Sequence, residues 1–187
     1  TDTAKEYLEA YYPDTKNDLY AAFIERTLAF LRATGGYVGA ITSRTFMFLS
    51  SFQKLRENVI FPQARMSPVA DLGFGVLDTA MVETVAFVLH KGNGGESIFF
   101  RLLKEGDKEF TLRRSLLNLT AEKEDELTHF ARQETFSLIP GSPMPYWVSD
   151  NMRSAFNKLP PFQGNGGAVQ HGASTTNDSR FIRVWWE

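Results

Sequence analysis

The chain has 187 residues, of which 43% are hydrophobic and 22% charged, and its formal net charge is −2. This is globular composition, and it excludes disordered, collagen-like and low-complexity classes for the chain as a whole. The charge excludes a strongly basic nucleic-acid binder and leaves DNA contact to local patches. Cysteine is absent, which excludes a disulfide framework and any thiolate metal site.

No apolar run approaches the ~20 residues that span a bilayer. The start, Thr1 to Glu6, is polar and carries no signal peptide. There is no initiator Met, so a cut-out of something longer is expected.

The first clear element is a helix from about Asp18 to Arg32. Tyr20, Phe23, Ile24, Thr27, Leu28 and Leu31 repeat at the spacing of one helical face. Asn17 or Asp18 supplies the cap, and Gly35-Gly36 ends the element. Tyr37 to Thr42 is short, apolar and bounded by turn residues, and it reads as a strand buried on both faces in half of a βαβ unit. Ser50 or Ser51 caps a second helix, about Phe52 to Val59. After a loop with Pro62 and Pro68, Val69 to Leu72 reads as a strand. The stretch from Gly73 to Ala80 reads as a loop with two glycines. Val82 to His90 reads as a strand antiparallel to its neighbour.

Beyond the flexible turn at Lys91–Gly95, Ile98–Leu103 and Glu109–Leu112 suggest a hairpin around Glu105-Gly106-Asp107. Thr120 caps a helix predicted to reach Gln133, with acidic residues in its first turns. Pro140 to Pro145 breaks the chain, and Ser149 or Asp150 caps a short helix through Phe156. The last thirty residues are rich in Gly, Asn, Ser and Thr until Arg180–Glu187, which holds Trp185 and Trp186. There is no internal repeat.

Self-contained chemistry is sparse. His90, His129 and His171 have no metal-ligand spacing, so no metal site is expected. There is no nucleophile elbow and no Walker loop. Two features stand out from an aromatic-rich core. Phe74 and Leu77 lie in a glycine-flanked loop at a strand end, where open α/β sheets bind ligands. Trp185 and Trp186 lie beside Arg180 and Arg183, where they could stack on a partner.

Several stretches change the argument. Asn17-Asp18-Leu19-Tyr20-Ala21-Ala22-Phe23-Ile24-Glu25-Arg26, Gly35 to Thr42 and Leu49 to Glu57 come first. Ala70-Asp71-Leu72-Gly73, Leu77-Asp78 and Val82 to Leu89 follow in order. This succession resembles the segment after the catalytic motif of gamma-class adenine-specific DNA methyltransferases. The likeness extends, within that class, to the PglX-type enzymes of bacteriophage-exclusion systems. There Ile139 to Pro143, Tyr146 to Ser149, Asn177 to Phe181 and Trp185-Trp186-Glu187 have counterparts. The run from His171 to Ser179 departs from the pattern.

The resemblance implies an α/β fold: a partial Rossmann-like class I methyltransferase sheet, its C-terminal half with an antiparallel hairpin strand, plus a small α+β extension. Residues 1–91 would be the C-terminal half of the catalytic domain. Residues 92–148 would form a hairpin and helix extension, and 149–187 the start of target recognition. It implies S-adenosylmethionine as cofactor, double-stranded DNA as substrate and a flipped adenine as the acceptor. It implies a cytoplasmic, non-membrane protein of restriction-modification or phage-defence type, with the missing N-terminal half and other phage-defence proteins as partners.

Carried over residue by residue, Phe23 matches the aromatic that packs on the donor's adenine, and Asp18 lies close to the donor site or caps its helix. Leu77 stands where the family places a Phe against the flipped base, and Phe74 is its possible substitute. The family's catalytic Asn-Pro-Pro-aromatic motif occurs nowhere in the chain, and Pro160-Pro161-Phe162 follows Leu159 instead. The glycine-rich donor loop is also lacking. The chain is therefore expected to be silent on its own. A second reading, from another class, is a non-catalytic DNA- or protein-binding module derived from a methyltransferase. A third is a half-sheet without separate function that dimerises through Tyr37–Thr42.

Overall fold

The computed structural model describes residues 2–31, 35–77, 81–92, 94–161 and 167–168. Asp78, the His171–Ser179 run and the Trp185-Trp186 tail lie outside them. Among the described residues the chain builds one five-stranded sheet in the order β1-β3-β2-β4-β5.

Two helices lead in: α1, Asp2–Tyr11, and α2, Leu19–Phe30. The Asp18 side chain accepts from the Tyr20 N–H and caps α2, as the sequence predicts. Tyr20, Ile24, Leu28 and Leu31 pack into the core, whereas Phe23, on the same predicted stripe, remains exposed. Strand β1, Tyr37–Ser43, follows. It leads through two 3-10 turns, Arg44–Met47 and Ser50–Phe52, into a π-helix, Leu55–Ile60, that continues as the single turn α3, Phe61–Gln63.

Strand β2, Ala64–Gly73, is longer than predicted because Ser67-Pro68 is accommodated at a register shift between Met66 and Val69. Strand β3, Thr84–Lys91, pairs antiparallel with both β1 and β2. β1 and β2 therefore run parallel to each other with β3 inserted between them. This is the expected methyltransferase half-sheet with its antiparallel hairpin strand.

β1 is not buried on both faces. It is an edge strand paired only with β3, and Tyr37, Gly39 and Ile41 on one face are exposed while Val38 and Ala40 pack inward. The uninterrupted apolar run misleads because alternation was hidden by glycine and tyrosine on the outer face.

The expected 98–112 hairpin is replaced by β4, Glu96–Arg101, parallel to β2, and helix α4, Lys108–Thr120. Asp107 accepts from the Phe110 N–H and starts that helix, which lays Thr111, Leu112, Ser115 and Leu119 on one face. The predicted helix from Thr120 to Gln133 begins where α4 ends. Instead, β5, Thr128–Arg132, pairs antiparallel with β4. Pairing to an open sheet edge outweighs the modest helix propensity of Thr128-His129-Phe130. A 3-10 segment, Gln133–Leu138, and helix α5, Asp150–Lys158, complete the fold. Ser149 caps α5 as predicted.

The larger core lies on one sheet face, where Ile24, Leu28, Phe46, Leu55 and Ile60 meet Val69, Phe87, Leu89 and Phe99. On the other face Ala70, Leu72, Phe100 and Leu102 lie under Leu112 and Leu119 of α4. No helix among the described residues is long and apolar enough to cross a membrane.

Candidate functional site

β1, β2 and β4 point the same way, so Arg44, Gly73 and Arg101 mark one carboxyl end of the sheet. This is the end at which open α/β sheets hold ligands. Asp71 is fully buried there. Its two oxygens accept from Arg44 Nε at 2.6 Å and Nη2 at 2.7 Å. The Tyr146 hydroxyl donates to Oδ2 at 2.7 Å. Arg44 also donates to Glu83 at 3.2 Å. Burial works against the charge of Arg44, but the Asp71 and Glu83 carboxylates outweigh it and hold the guanidinium pKa above its ordinary value. Burial and the negative Asp71 push the Tyr146 phenol far up, so it remains a donor.

The Pro140–Val148 stretch, which holds the expected break at Pro140–Pro145 and parts of the Ile139–Pro143 and Tyr146–Ser149 motifs, is strapped onto this end. Fully buried Arg56 donates to the Gly141 carbonyl at 2.6 Å and to the Phe46 carbonyl at 2.5 Å. Ser142 Oγ donates to Glu57 at 2.7 Å, and the Met144 N–H to the Met47 carbonyl at 2.9 Å. Arg153 holds the Pro145 and Val148 carbonyls from α5. The Tyr146 ring stacks on Phe99 with centroids 4.6 Å apart.

Strapping places Trp147 in a row of alternating cations and rings. Arg44 lies over Phe48 at 4.7 Å, Phe48 meets Trp147 at 5.6 Å, and Arg101 lies over Trp147 at 4.7 Å. His129 neighbours Tyr146 at 5.7 Å, and burial followed by the Arg101 charge lowers its pKa. Neither Arg44 nor Arg101 stands out in the sequence, and His129 does so only as one of three scattered histidines. Asp71 and Tyr146-Trp147 lie in stretches that carry the family resemblance, but nothing in the sequence pairs them.

The sequence-derived residues occupy two other places. Phe23, 59% exposed, lines an apolar cleft of about 470 Å3 between α1 and α2 with Tyr7, Leu8, Tyr12 and Leu19. The Tyr20 hydroxyl and Thr45 Oγ1, 3.1 Å apart, tie the start of α2 to the 3-10 turn after β1. Asp18 serves as the α2 cap and does not line the cleft. Phe74 and Leu77 are 55% and 46% exposed in the loop after β2, and neither lines the Phe23 cleft. The cleft is apolar and wide enough for a planar heterocycle, with Arg26 as a charged lining group, so it fits the adenine ring of a methyl donor, but among the described residues no carboxylate lines it for a ribose.

Comparison with known proteins agrees with this architecture. Residues 1–74 match the family model for Eco57I restriction-modification methylase. An adenine-specific methyltransferase PglX of Lacticaseibacillus casei (strain Zhang) is 32% identical over 190 residues, covering 99% of this chain. An adenine-specific methyltransferase BrxX of Escherichia coli O9:H4 (strain HS) is 30% identical over 190 residues, covering 98%. The chain spans only 16% and 15% of the length of these two relatives. The resemblance drawn from Asn17–Arg26, Gly35–Thr42 and the later motifs therefore holds over the whole length. The chain is similar along its whole length to the PglX and BrxX adenine-specific methyltransferases, and its five-stranded sheet is consistent with a partial methyltransferase fold.

Proposed function

We propose that the chain is the C-terminal half of the catalytic domain of an S-adenosylmethionine-dependent DNA adenine methyltransferase of restriction-modification or phage-defence type. The observation that carries this reading is the similarity to two adenine-specific methyltransferases along 98–99% of the chain. The half-sheet supports it, since the antiparallel β3 between parallel β1 and β2 is the arrangement the resemblance implies. The donor would supply the methyl group. In this chain Phe23 would cover the donor's adenine ring in the α1–α2 cleft. Asp18 would act on the donor only indirectly, by starting the helix that presents Phe23. Leu77, or Phe74 beside it, would cover the flipped adenine from the loop after β2. Leucine excludes water there but lacks a ring face, which makes Phe74 the better stacking partner.

Asn-Pro-Pro-aromatic and glycine-rich donor sequences are absent from the 187 residues, and the complementary half must bring them. That half would pair with the open edge of β1 in a cytoplasmic enzyme acting on double-stranded DNA.

The test compares this chain with the intact methyltransferase containing it, using radiolabelled donor and adenine-containing duplex. Incorporation by the intact enzyme and none by the chain is expected. Robust incorporation by the chain alone, or none by the intact enzyme, overturns the reading. In the intact enzyme Phe23→Ala is expected to weaken donor binding about fivefold, the equivalent of ~1 kcal/mol of ring stacking, by isothermal titration. Unchanged donor affinity would remove Phe23 from the site.

A further inference from the structure

The cation–ring row at the carboxyl end of the sheet is electrically lopsided. Arg44, at one end, is neutralised by both oxygens of Asp71 and by Glu83. Arg101, at the other end, has no hydrogen-bonded acceptor for its side chain and no carboxylate partner among the described residues. Its Nε is buried and unpaired. Its parallel-strand partner Asp71 is fully buried and committed to Arg44 and Tyr146. Two titratable groups near it, His129 and Tyr146, supply no negative charge: burial and Arg101 itself lower the His129 pKa, and burial and Asp71 raise that of Tyr146. What fixes Arg101 is the Trp147 ring, 4.7 Å from the guanidinium carbon and itself 38% exposed.

With its Nε buried, Arg101 has its Nη1 and Nη2 N–H groups left to meet an anion, and a guanidinium fork matches the two oxygens of a phosphodiester. A half-buried cation left without an anion has a desolvation cost that a ligand's charge would offset. The ring beneath it is held in place by the Tyr146–Asp71 hydrogen bond and by Phe48.

We propose that Arg101, seated on Trp147, binds a phosphodiester of the DNA substrate at the carboxyl end of β2 and β4. The proposal rests on the DNA methyltransferase reading and deepens it by naming a backbone contact beside the Phe74–Leu77 loop. Contact to the backbone positions DNA without reading its sequence. Trp147 is a positioning residue that keeps the fork oriented.

The experiment uses the intact methyltransferase and a fluorescein-labelled duplex, with anisotropy titrations at several salt concentrations. Wild-type binding at low salt tests the DNA reading by itself, and its absence overturns that reading and this contact together. Given wild-type binding, Arg101→Gln is expected to weaken affinity about tenfold and to reduce the slope of log affinity against log salt by about 1. Arg101→Lys should restore the slope but only part of the affinity, because charge returns without the fork. Trp147→Leu should weaken binding with an intermediate slope. Donor affinity should be unchanged in all three variants, which separates the contact from general misfolding. Wild-type affinity and slope in Arg101→Gln, with donor binding intact, would overturn the proposal while leaving the methyltransferase reading standing.

Discussion

Asp71 joins three parts of the chain that the sequence keeps apart, through Arg44 after β1 and Tyr146 in the strap. Asp71→Ala would leave Arg44 beside an empty acceptor site and Tyr146 without its bond. The expected loss is about 3 kcal/mol or more in urea unfolding, because an uncompensated buried charge costs more than the pair contributes. Tyr146→Phe removes one bond to a charged acceptor and should cost about 2 kcal/mol. His129 gives a pH signature. Its folded pKa lies below the ordinary 6.5, so the unfolded chain binds the proton first as pH falls. The stability contributed by keeping His129 neutral is therefore full above pH 6.5 and is lost as pH drops from there through the folded value. Thermal melts should show a smaller loss below pH 6.5 for His129→Gln than for the parent. An equal loss would place the dependence elsewhere.

At the level of elements, caps and hydrophobic periodicity made much of the chain legible. Asp18 and Ser149 start α2 and α5 as read, and Val82–His90 covers all of β3 but Lys91. The expected hairpin fails on partners distant in sequence: Ile98–Arg101 of the expected strand lies in β4, whose neighbours are β2 and β5 rather than 109–112. Asp107 is the local signal for α4. Asp107→Ala should cost about 1 kcal/mol, the usual loss of a helix cap, and lower thermal stability accordingly. α1 gives little signal in sequence because its tyrosines, Tyr7 and Tyr11, lie in an otherwise polar stretch. At Gly73 a different restraint applies. Its φ of +66° disfavours side chains, and an added Cβ would lie 3.0 Å from Leu103 Cδ2. Gly73→Ala should therefore destabilise the β2 terminus and shift the loop carrying Phe74 and Leu77, which hydrogen exchange of that loop would detect.

For the whole molecule, the open flank is β1. Its edge, unpaired among the described residues, and the exposed ring and branched side chains of Tyr37 and Ile41 form a template for another strand. In the proposed enzyme the complementary half of the catalytic domain occupies that flank. The isolated chain should accordingly self-associate at high concentration in sedimentation velocity runs, and Ile41→Lys should return it toward monomer. Monomeric sedimentation of the unmodified chain would show that the edge is protected in another way.

The family resemblance, the segments of β1, β2 and β3 and the caps of α2 and α5 followed from sequence because they depend on residues close together or on motifs in fixed order. Asn17–Arg26 and Tyr37–Thr42 carried the methyltransferase resemblance without any knowledge of contacts. Tertiary structure decided which strand lies at the edge, that Pro140–Val148 folds back over the sheet, and that Phe23 opens into a cleft instead of the core. It alone brought Arg44, Asp71, Arg101 and Trp147 to one end. The physical reason is range. Cap and helix-face signals extend over one or two turns, whereas a buried ion pair 27 residues apart and a hydrogen bond 75 residues apart exist only once the sheet has formed.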